Sequence, residues 1–343
     1  VMASNGAPRI SMREVAALAK VSIGTVSNVL NNPDRVLPAT RERVERAIAE
    51  TGWVPNQQAQ QLRAGHGRTV GLAVMDVTNP FFADLLRGAQ STLSEHGYTA
   101  TIGDADNDPA RQTAILRSFL EQRVRGVILG PIGNSPGEVD ELTRAGIHTV
   151  LVDRITTTSE TCTVGVDDVA GGRIAVEHLT ERGHRRIAFA GGPSTLVQVR
   201  DRMEGALQAA EAAGATLITI SVPILEFAGG RRAADEIALM PLEERPTAVF
   251  CANDLVAIGL LQGLIAVGLR VPDDIAIVGY DDIEFAAAAA VPLSSVAQPR
   301  RDLGTTAARL LVAEFEQGAE HRHEAVTFTP ELSVRASSAH RVN

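Results

Sequence analysis

The residues able to do chemistry in this chain fall into two groups, and both suit binding better than catalysis. The first is the run Ser22-Ile23-Gly24-Thr25-Val26-Ser27-Asn28. Thr25 and Ser27 carry hydroxyls suited to phosphate oxygens, and a helix N-terminus itself attracts phosphate. The second group is scattered: Asp76 with Asn79-Pro80-Phe81-Phe82, Asp104, Asp153, Asp167, Arg200, Arg202, Phe227, Asn253-Asp254 and Asp281-Asp282. Carboxylates, amides and an Arg can bind hydroxyls in their plane, and a Phe ring face suits apolar C–H. A polyhydroxylated ligand or a nucleobase would fit such a set. Taken singly, each also fits a helix cap or a loop, and Asp254 and Asp282 are N-cap candidates.

Catalytic chemistry has no positive support. There is no G-x-S-x-G, no Walker A pattern and no G-x-G-x-x-G after a strand. Cys162 and Cys251 are lone cysteines with no metal or redox motif beside them. His321 and His323 stand two apart in a polar stretch without neighbouring ligands, which indicates surface histidines rather than a metal site. The expectation is a protein that is not an enzyme, with no cofactor and no metal.

The elements that must position the first group can be read from caps and periodicity. Ser11 and Glu14 have capping-box spacing, and Val15, Leu18 and Ala19 form one apolar stripe. Ser22 is a second N-cap candidate, and Val26, Val29 and Leu30 repeat the stripe. Two short helices joined by Lys20-Val21-Ser22 match a helix-turn-helix. The N-terminal residues of such a second helix contact base edges: Ile23 and Gly24 in its first turn, Ser27 and Asn28 one turn later. Pro38 suits the start of a third helix that runs to about Thr51 and stops at Gly52, with Val44, Ala47 and Ile48 facing the same core. From Asn56 to Gly65 a glutamine-rich stretch has almost no apolar face besides Ala59 and Leu62, and should not be a stable helix alone. An apolar wedge in a DNA minor groove is one physical use for Leu62; a polar linker is the other reading. Charge agrees with a nucleic-acid-binding end. Residues 1–68 hold nine basic and five acidic side chains, a net of +4, against −9 for the whole chain and so −13 for the remainder.

From Thr69 the pattern alternates strand and helix, which implies parallel sheets covered by helices. Strands are expected near 70–75, 98–103, 126–129, 149–153 and 163–166, then again near 186–190, 216–220, 247–252 and 274–279. Arg87-Gly88-Ala89 and Glu204-Gly205-Ala206 each stand on the first helix of a sheet, a faint internal repeat that implies two similar lobes. Ligands bind beyond the strand C-termini, so the cleft between the lobes is the expected site. No apolar run is long enough to span a membrane, residues 1–9 are expected as a disordered leader, and the cytoplasm is the expected location.

In Val21-Ser22-Ile23-Gly24-Thr25-Val26-Ser27-Asn28-Val29-Leu30-Asn31, Trp53-Val54-Pro55-Asn56 with Ala59 and Leu62, Asn79-Pro80-Phe81-Phe82, Asp153-Arg154, Asn253-Asp254 and Val278-Gly279-Tyr280-Asp281-Asp282, the chain resembles the LacI/GalR (lactose-repressor) family of bacterial transcription regulators over essentially its whole length. The resemblance implies an α/β, two-lobed, periplasmic-binding-protein-like core behind an all-α headpiece (residues 10–54) and a hinge helix (55–68) ordered on operator DNA. It implies base contacts from residues 23, 24 and 28, and Leu62 in the central minor-groove step. It implies a homodimer on a palindromic operator, switched by a small effector in the cleft between the lobes, with a sugar or sugar derivative expected. Effector contacts would fall at Phe81, Phe82, Asp153, Arg202, Phe227, Asn253, Asp281 and Gln298. The N-lobe would be 69–165 with 297–325, and the C-lobe 166–296 with 326–343. Control by a purine, a nucleoside or a protein co-regulator, and a plain solute-binding protein, are the rival readings. Departures from the pattern are Lys20 where Gly is frequent, Leu37 where a capping Ser is frequent, Gly24, and Asn28 where Arg is common. A left-handed Lys20 would cost about 1 kcal/mol. Without terminal leucine heptads a dimer is expected rather than a tetramer.

Overall fold

The computed structural model describes residues 10–53, 67–133, 136–156, 160–193 and 195–339. They form two compact units, which divide at Gly67.

The first unit contains α1 (Met12–Ala19), α2 (Ile23–Asn31) and α3 (Pro38–Thr51). The capping box at the start of α1 is present: Glu14 accepts from the Ser11 backbone N–H at 2.6 Å. Ser22 caps α2, its Oγ accepting from the Thr25 N–H at 3.0 Å. Lys20 closes α1 with left-handed φ 54° and ψ 48°, so the strained turn expected there exists. Gly52, at φ 62°, ends α3, and Leu37 precedes it without a side-chain cap. The small core joins Val15, Ala16, Ala19, Val26, Val29, Val44, Ala47 and Trp53. One expected stripe is corrected: Leu18 is exposed and Ala16 is buried. The buried face of α1 is turned by about one residue because its neighbours are α3 as well as α2.

The second unit has two six-stranded sheets. The first orders as β11-β5-β4-β3-β1-β2, all parallel. Its strands are β1 (Thr69–Val74), β2 (Thr99–Asp104), β3 (Gly126–Leu129), β4 (His148–Val152), β5 (Cys162–Val166) and β11 (Ala325–Phe328). The second orders as β12-β10-β9-β8-β6-β7 and is parallel apart from the β10–β12 pair. It contains β6 (Arg186–Gly191), β7 (Thr216–Ser221), β8 (Ala248–Cys251), β9 (Ala276–Asp281), β10 (Ser294–Ala297) and β12 (Glu331–Ser333). Helices α4 (Pro80–Glu95), α5 (Pro109–Gln122), α6 (Pro136–Arg144) and α12 (Arg300–Gln317) accompany the first sheet. Helices α7 (Asp168–Glu181), α8 (Val197–Ala212), α9 (Phe227–Leu239), α10 (Asp254–Ala266) and the short α11 (Glu284–Ala288) accompany the second. The buried strands are nearly continuous apolar runs, as sheets covered on both faces require.

The chain passes between the sheets three times: after β5, after β10 and between β11 and β12. The third passage differs from the expected 325–326. Residues 325–328 pair with β5, Ala325 opposite Thr163 and Phe328 opposite Val166, so the change of lobe comes three residues later. β11 and β12 are short and half-exposed, which is why hydrophobic periodicity did not reveal them.

Three helix pairs meet at reciprocal glycines. A Cβ on Gly88 would lie 2.1 Å from the Arg301 carbonyl oxygen, and one on Gly304 1.9 Å from that of Leu85, joining α4 to α12. Gly172 and Gly205 make the same contact between α7 and α8, and Gly230 and Gly259 between α9 and α10. The repeated Gly88 and Gly205 of the sequence are therefore equivalent packing points.

Candidate functional site

The site is built where the strands of both sheets end. Beyond β1, Asn79 caps α4 by accepting from the Phe81 N–H at 3.0 Å, and Pro80 takes the first helical position. That start presents Phe81 and Phe82 to the cleft as an edge-to-face pair with ring centroids 5.0 Å apart. The opposite wall comes from the second sheet. Asn253, the cap of α10, accepts from the Val256 N–H at 2.9 Å and donates through Nδ2 to the Leu225 carbonyl at 3.0 Å. Arg202, on α8, donates from Nε to Asp168 at 2.8 Å and from Nη1 to the Ala252 carbonyl at 2.7 Å. Its guanidinium lies 3.6 Å from the Tyr280 ring centroid, a stacked cation held in one orientation. Asp281 ends β9 with φ 100° and accepts from Gln298 Nε2 at 2.8 Å.

Burial dominates the electrostatics. It pushes the Asp281 carboxyl up to about 6, against the pull of Arg202. Burial, then the charge of Asp168, raises Asp153 well above the usual carboxylate range. Burial also works against the charge of Arg202, but Asp168 and the surrounding carboxylates outweigh it, and the guanidinium stays protonated. The lobes are tied across the cleft. Gln198 of α8 donates to Asp153 Oδ2 at 3.2 Å, and Arg300 joins Asp84 of α4, at 3.0 Å, to the Asp281 carbonyl, at 2.7 Å, and that of Asp282. The space enclosed is about 40 Å³. A ligand of the size that usual pockets hold enters only as the lobes part or wall side chains turn.

Of the eight effector positions expected, Phe81, Phe82, Arg202, Asn253 and Asp281 line this cavity. Asp153 and Gln298 stand behind the wall, hydrogen-bonded to Gln198 and Asp281. Phe227 does not reach it. It opens α9 with its side chain exposed, and Leu225, held by the Asn253 amide, takes the wall position. Met75, Asn107, Leu196, Gln198 and Leu225 were missed. Met75 and Asn107 come within three residues of the ends of β1 and β2, so the strand-end rule applied more widely would have found them.

The other strand-end residues are structural. Asp167 caps α7 through the Ala170 N–H at 2.9 Å. Asp104 accepts from the Val77 and Asp106 N–H groups, and Arg200 pairs with Asp201 on the surface. Neither Asp254 nor Asp282 is an N-cap. Asn253 holds that place on α10, while Asp254 accepts from the Ile283 N–H and Ser295 Oγ inside the lobe. Asp282 accepts from Arg335, at 2.6 Å, and Ser333 Oγ.

In the headpiece Ile23, Gly24 and Asn28 are exposed, and Ser27 and Thr25 are half-buried. The Thr25 hydroxyl lies 2.9 Å from Ser22 Oγ, so both hydroxyls serve the cap as well as any phosphate. Asn56, Ala59 and Leu62 lie outside the described residues. The expectation of histidines without ligand neighbours is overturned. His321 Nε2 is 3.2 Å, and His323 Nδ1 3.6 Å, from Cys162 Sγ.

Comparison with known proteins agrees with this fold. The signature of bacterial regulatory proteins of the lacI family matches residues 11–56, and a periplasmic-binding-protein-like domain matches 176–338. The HTH-type transcriptional repressor CytR of Escherichia coli (strain K12) is 33% identical over 309 residues, 89% of this chain and 90% of that one. The chain belongs to the LacI family. It is a DNA-binding transcriptional regulator with a headpiece and a two-lobed core. Other members share the whole architecture. A CelR–cellobiose complex is 34% identical, covers 96% of this chain and 100% of its own, and superposes with a TM-score of 0.71. The lac repressor dimer bound to operator and the anti-inducer ONPF is 27% identical over 96% of this chain and 99% of its own, with a TM-score of 0.82. The CytR and lac proteins are named as repressors, not as enzymes. Among the described residues no helix is long and apolar enough to cross a membrane.

Proposed function

We propose that this LacI-family member is a homodimeric cytoplasmic repressor whose hold on a palindromic operator is set by a neutral sugar in the cleft. The observation that carries the ligand class is the fixed polar wall of Arg202, Asn253 and Asp281 opposite the Phe81–Phe82 pair. Planar groups held by their own partners are preorganised for ring hydroxyls, and aromatic faces for sugar C–H. Charge selects within that class. Arg202, the cation that lines the cavity, is already committed to Asp168 and to the Ala252 carbonyl, so little of its charge is left to hold a phosphorylated sugar. The cellobiose of the CelR complex supports the sugar reading.

On the DNA side, Ile23, Gly24 and Asn28 read base edges, Ser22, Thr25 and Ser27 meet phosphate, and Asn56, Ala59 and Leu62 serve the minor groove. Asn pairs with adenine where Arg pairs with guanine, so Asn28 shifts the half-site accordingly. Only the basic end meets the operator. Its affinity falls steeply with salt, as phosphate contacts require.

The deciding experiment is a thermal-shift panel of neutral mono- and disaccharides, sugar phosphates, nucleosides and purines on the full chain. A hit is followed by operator binding with and without that ligand. A neutral sugar is expected to raise the unfolding midpoint and to lose its effect in Arg202→Ala. Stabilisation by nucleosides or purines alone would replace the sugar reading with stacking on Phe81 and Phe82.

A further inference from the structure

A third group of reactive side chains lies away from the cleft. Cys162 is the first residue of β5, at the amino-terminal edge of its sheet and opposite the strand ends that line the cleft. His321 and His323 stand on the stretch between α12 and β11. Because β11 pairs in parallel with β5, groups about 160 residues apart are brought together. His321 Nε2 is 3.2 Å and His323 Nδ1 is 3.6 Å from Cys162 Sγ, and the three atoms all lie within 4.8 Å of one another. A tetrahedral zinc ion with usual Zn–S and Zn–N bonds holds its ligand atoms about 3.5 Å apart.

Two further observations point to a ligand here. The first is a partner that orients the His321 ring. His321 Nδ1 is 3.1 Å from Gln317 Oε1, an acceptor, so Nδ1 carries the hydrogen and Nε2 turns its lone pair towards Sγ. The Glu324 N–H also donates to Sγ, at 3.4 Å, which favours the thiolate. The second is a buried carboxylate oxygen without a partner on α12, the helix that leads into this segment. Glu314 of α12 is buried and accepts from His148 through Oε1 at 2.9 Å, while its Oε2 has no partner among the described residues. A nucleophilic role fits poorly, because Cys162 is fully buried while the histidines are half-buried.

We propose that Cys162, His321 and His323 form a zinc site, with water in the fourth position. Two imidazoles and a thiolate suit zinc, whereas magnesium and calcium require oxygen ligands. Uptake releases the thiol proton to solvent, so binding tightens as pH rises. The bound ion would fasten the 321–324 segment to the start of β5, on the edge where β1 also begins.

The test uses the untagged full chain. Co²⁺ is added as a spectroscopic substitute and Zn²⁺ affinity is measured by competition with a chromophoric chelator. Expected are about one ion per chain and a thiolate-to-cobalt charge-transfer band in the near ultraviolet. Cys162→Ser should abolish the band. His323→Gln, at a half-buried position, should weaken Zn²⁺ binding at least tenfold, and Gln317→Ala, which frees the His321 ring, by about tenfold. His96→Gln, whose ring bonds the Thr92 carbonyl one turn back among the described residues, should change nothing. A cobalt complex without the thiolate band, or undiminished zinc affinity in His323→Gln, would overturn the site.

Discussion

Two of the non-glycine residues held at positive φ lend themselves to measurement. Lys20 holds the left-handed turn that joins α1 to α2. Glycine there would relieve the clash of the side chain with its own backbone, and Lys20→Gly is expected to stabilise the headpiece by about 1 kcal/mol. Slower hydrogen exchange of headpiece amides in the full chain would record it. Asp281, at φ 100°, lies in a region that Asp and Asn visit more readily than most residues. Asp281→Asn therefore removes the charge with little backbone cost. Its carboxyl is raised from 3.8 to about 6 on folding, so the folded state holds the proton more tightly. The stability this provides is complete below pH 3.8 and is lost as pH rises through 6. The wild type should thus lose stability relative to Asp281→Asn across that window, by an amount on the order of 3 kcal/mol, in thermal melts at stepped pH. A flat difference would show that the carboxyl titrates normally.

Among the elements, the reciprocal glycine contacts decide how helices deliver side chains to the cleft. Arg202 sits one turn before Gly205 on α8, and a Cβ at 205 would lie 1.8 Å from the Val169 carbonyl oxygen of α7. Gly205→Ala must therefore push α8 outward. We expect a destabilisation of about 1–3 kcal/mol by denaturant melts. Arg202 should also move from Asp168, with a loss of effector affinity larger than the stability change explains. Unchanged effector binding in a destabilised protein would show that Arg202 is held by its own bonds and not by the helix packing.

For the whole molecule, the ties across the cleft set the balance between lobe arrangements. Arg300 begins α12, which packs on the first lobe through Gly88 and Gly304, yet its guanidinium bonds the Asp281 and Asp282 carbonyls of the second. Removing it costs the contracted arrangement about 1 kcal/mol. Arg300→Ala is expected to speed effector association about fivefold in stopped-flow measurements, with the headpiece untouched. An unchanged rate would mean that Gln198 and the cavity wall, rather than this tie, limit access. If an effector biases one lobe arrangement, the same difference in affinity must appear at the operator, since coupling is reciprocal.

What the sequence determined by itself was whatever is encoded locally. The caps at Ser11 and Ser22, the turn at Lys20, the stop at Gly52 and the strand-end positions of Asp153, Asn253 and Asp281 depend on neighbours within a few residues. Hydrogen-bonding chemistry and the periods of helix and strand suffice to read them. Family motifs carried the rest of the architecture. Tertiary structure alone decided contacts between segments far apart. It turned Ala16 rather than Leu18 into the headpiece core, because a third helix covers that face. It put Leu225 on the cleft wall in place of Phe227, through a bond from Asn253. It moved the last change of lobe beyond β11, and by pairing β11 with β5 it placed two histidines beside Cys162. No periodicity in a single chain encodes such pairings, because they are fixed by which strand edge remains open when the rest of the sheet has formed.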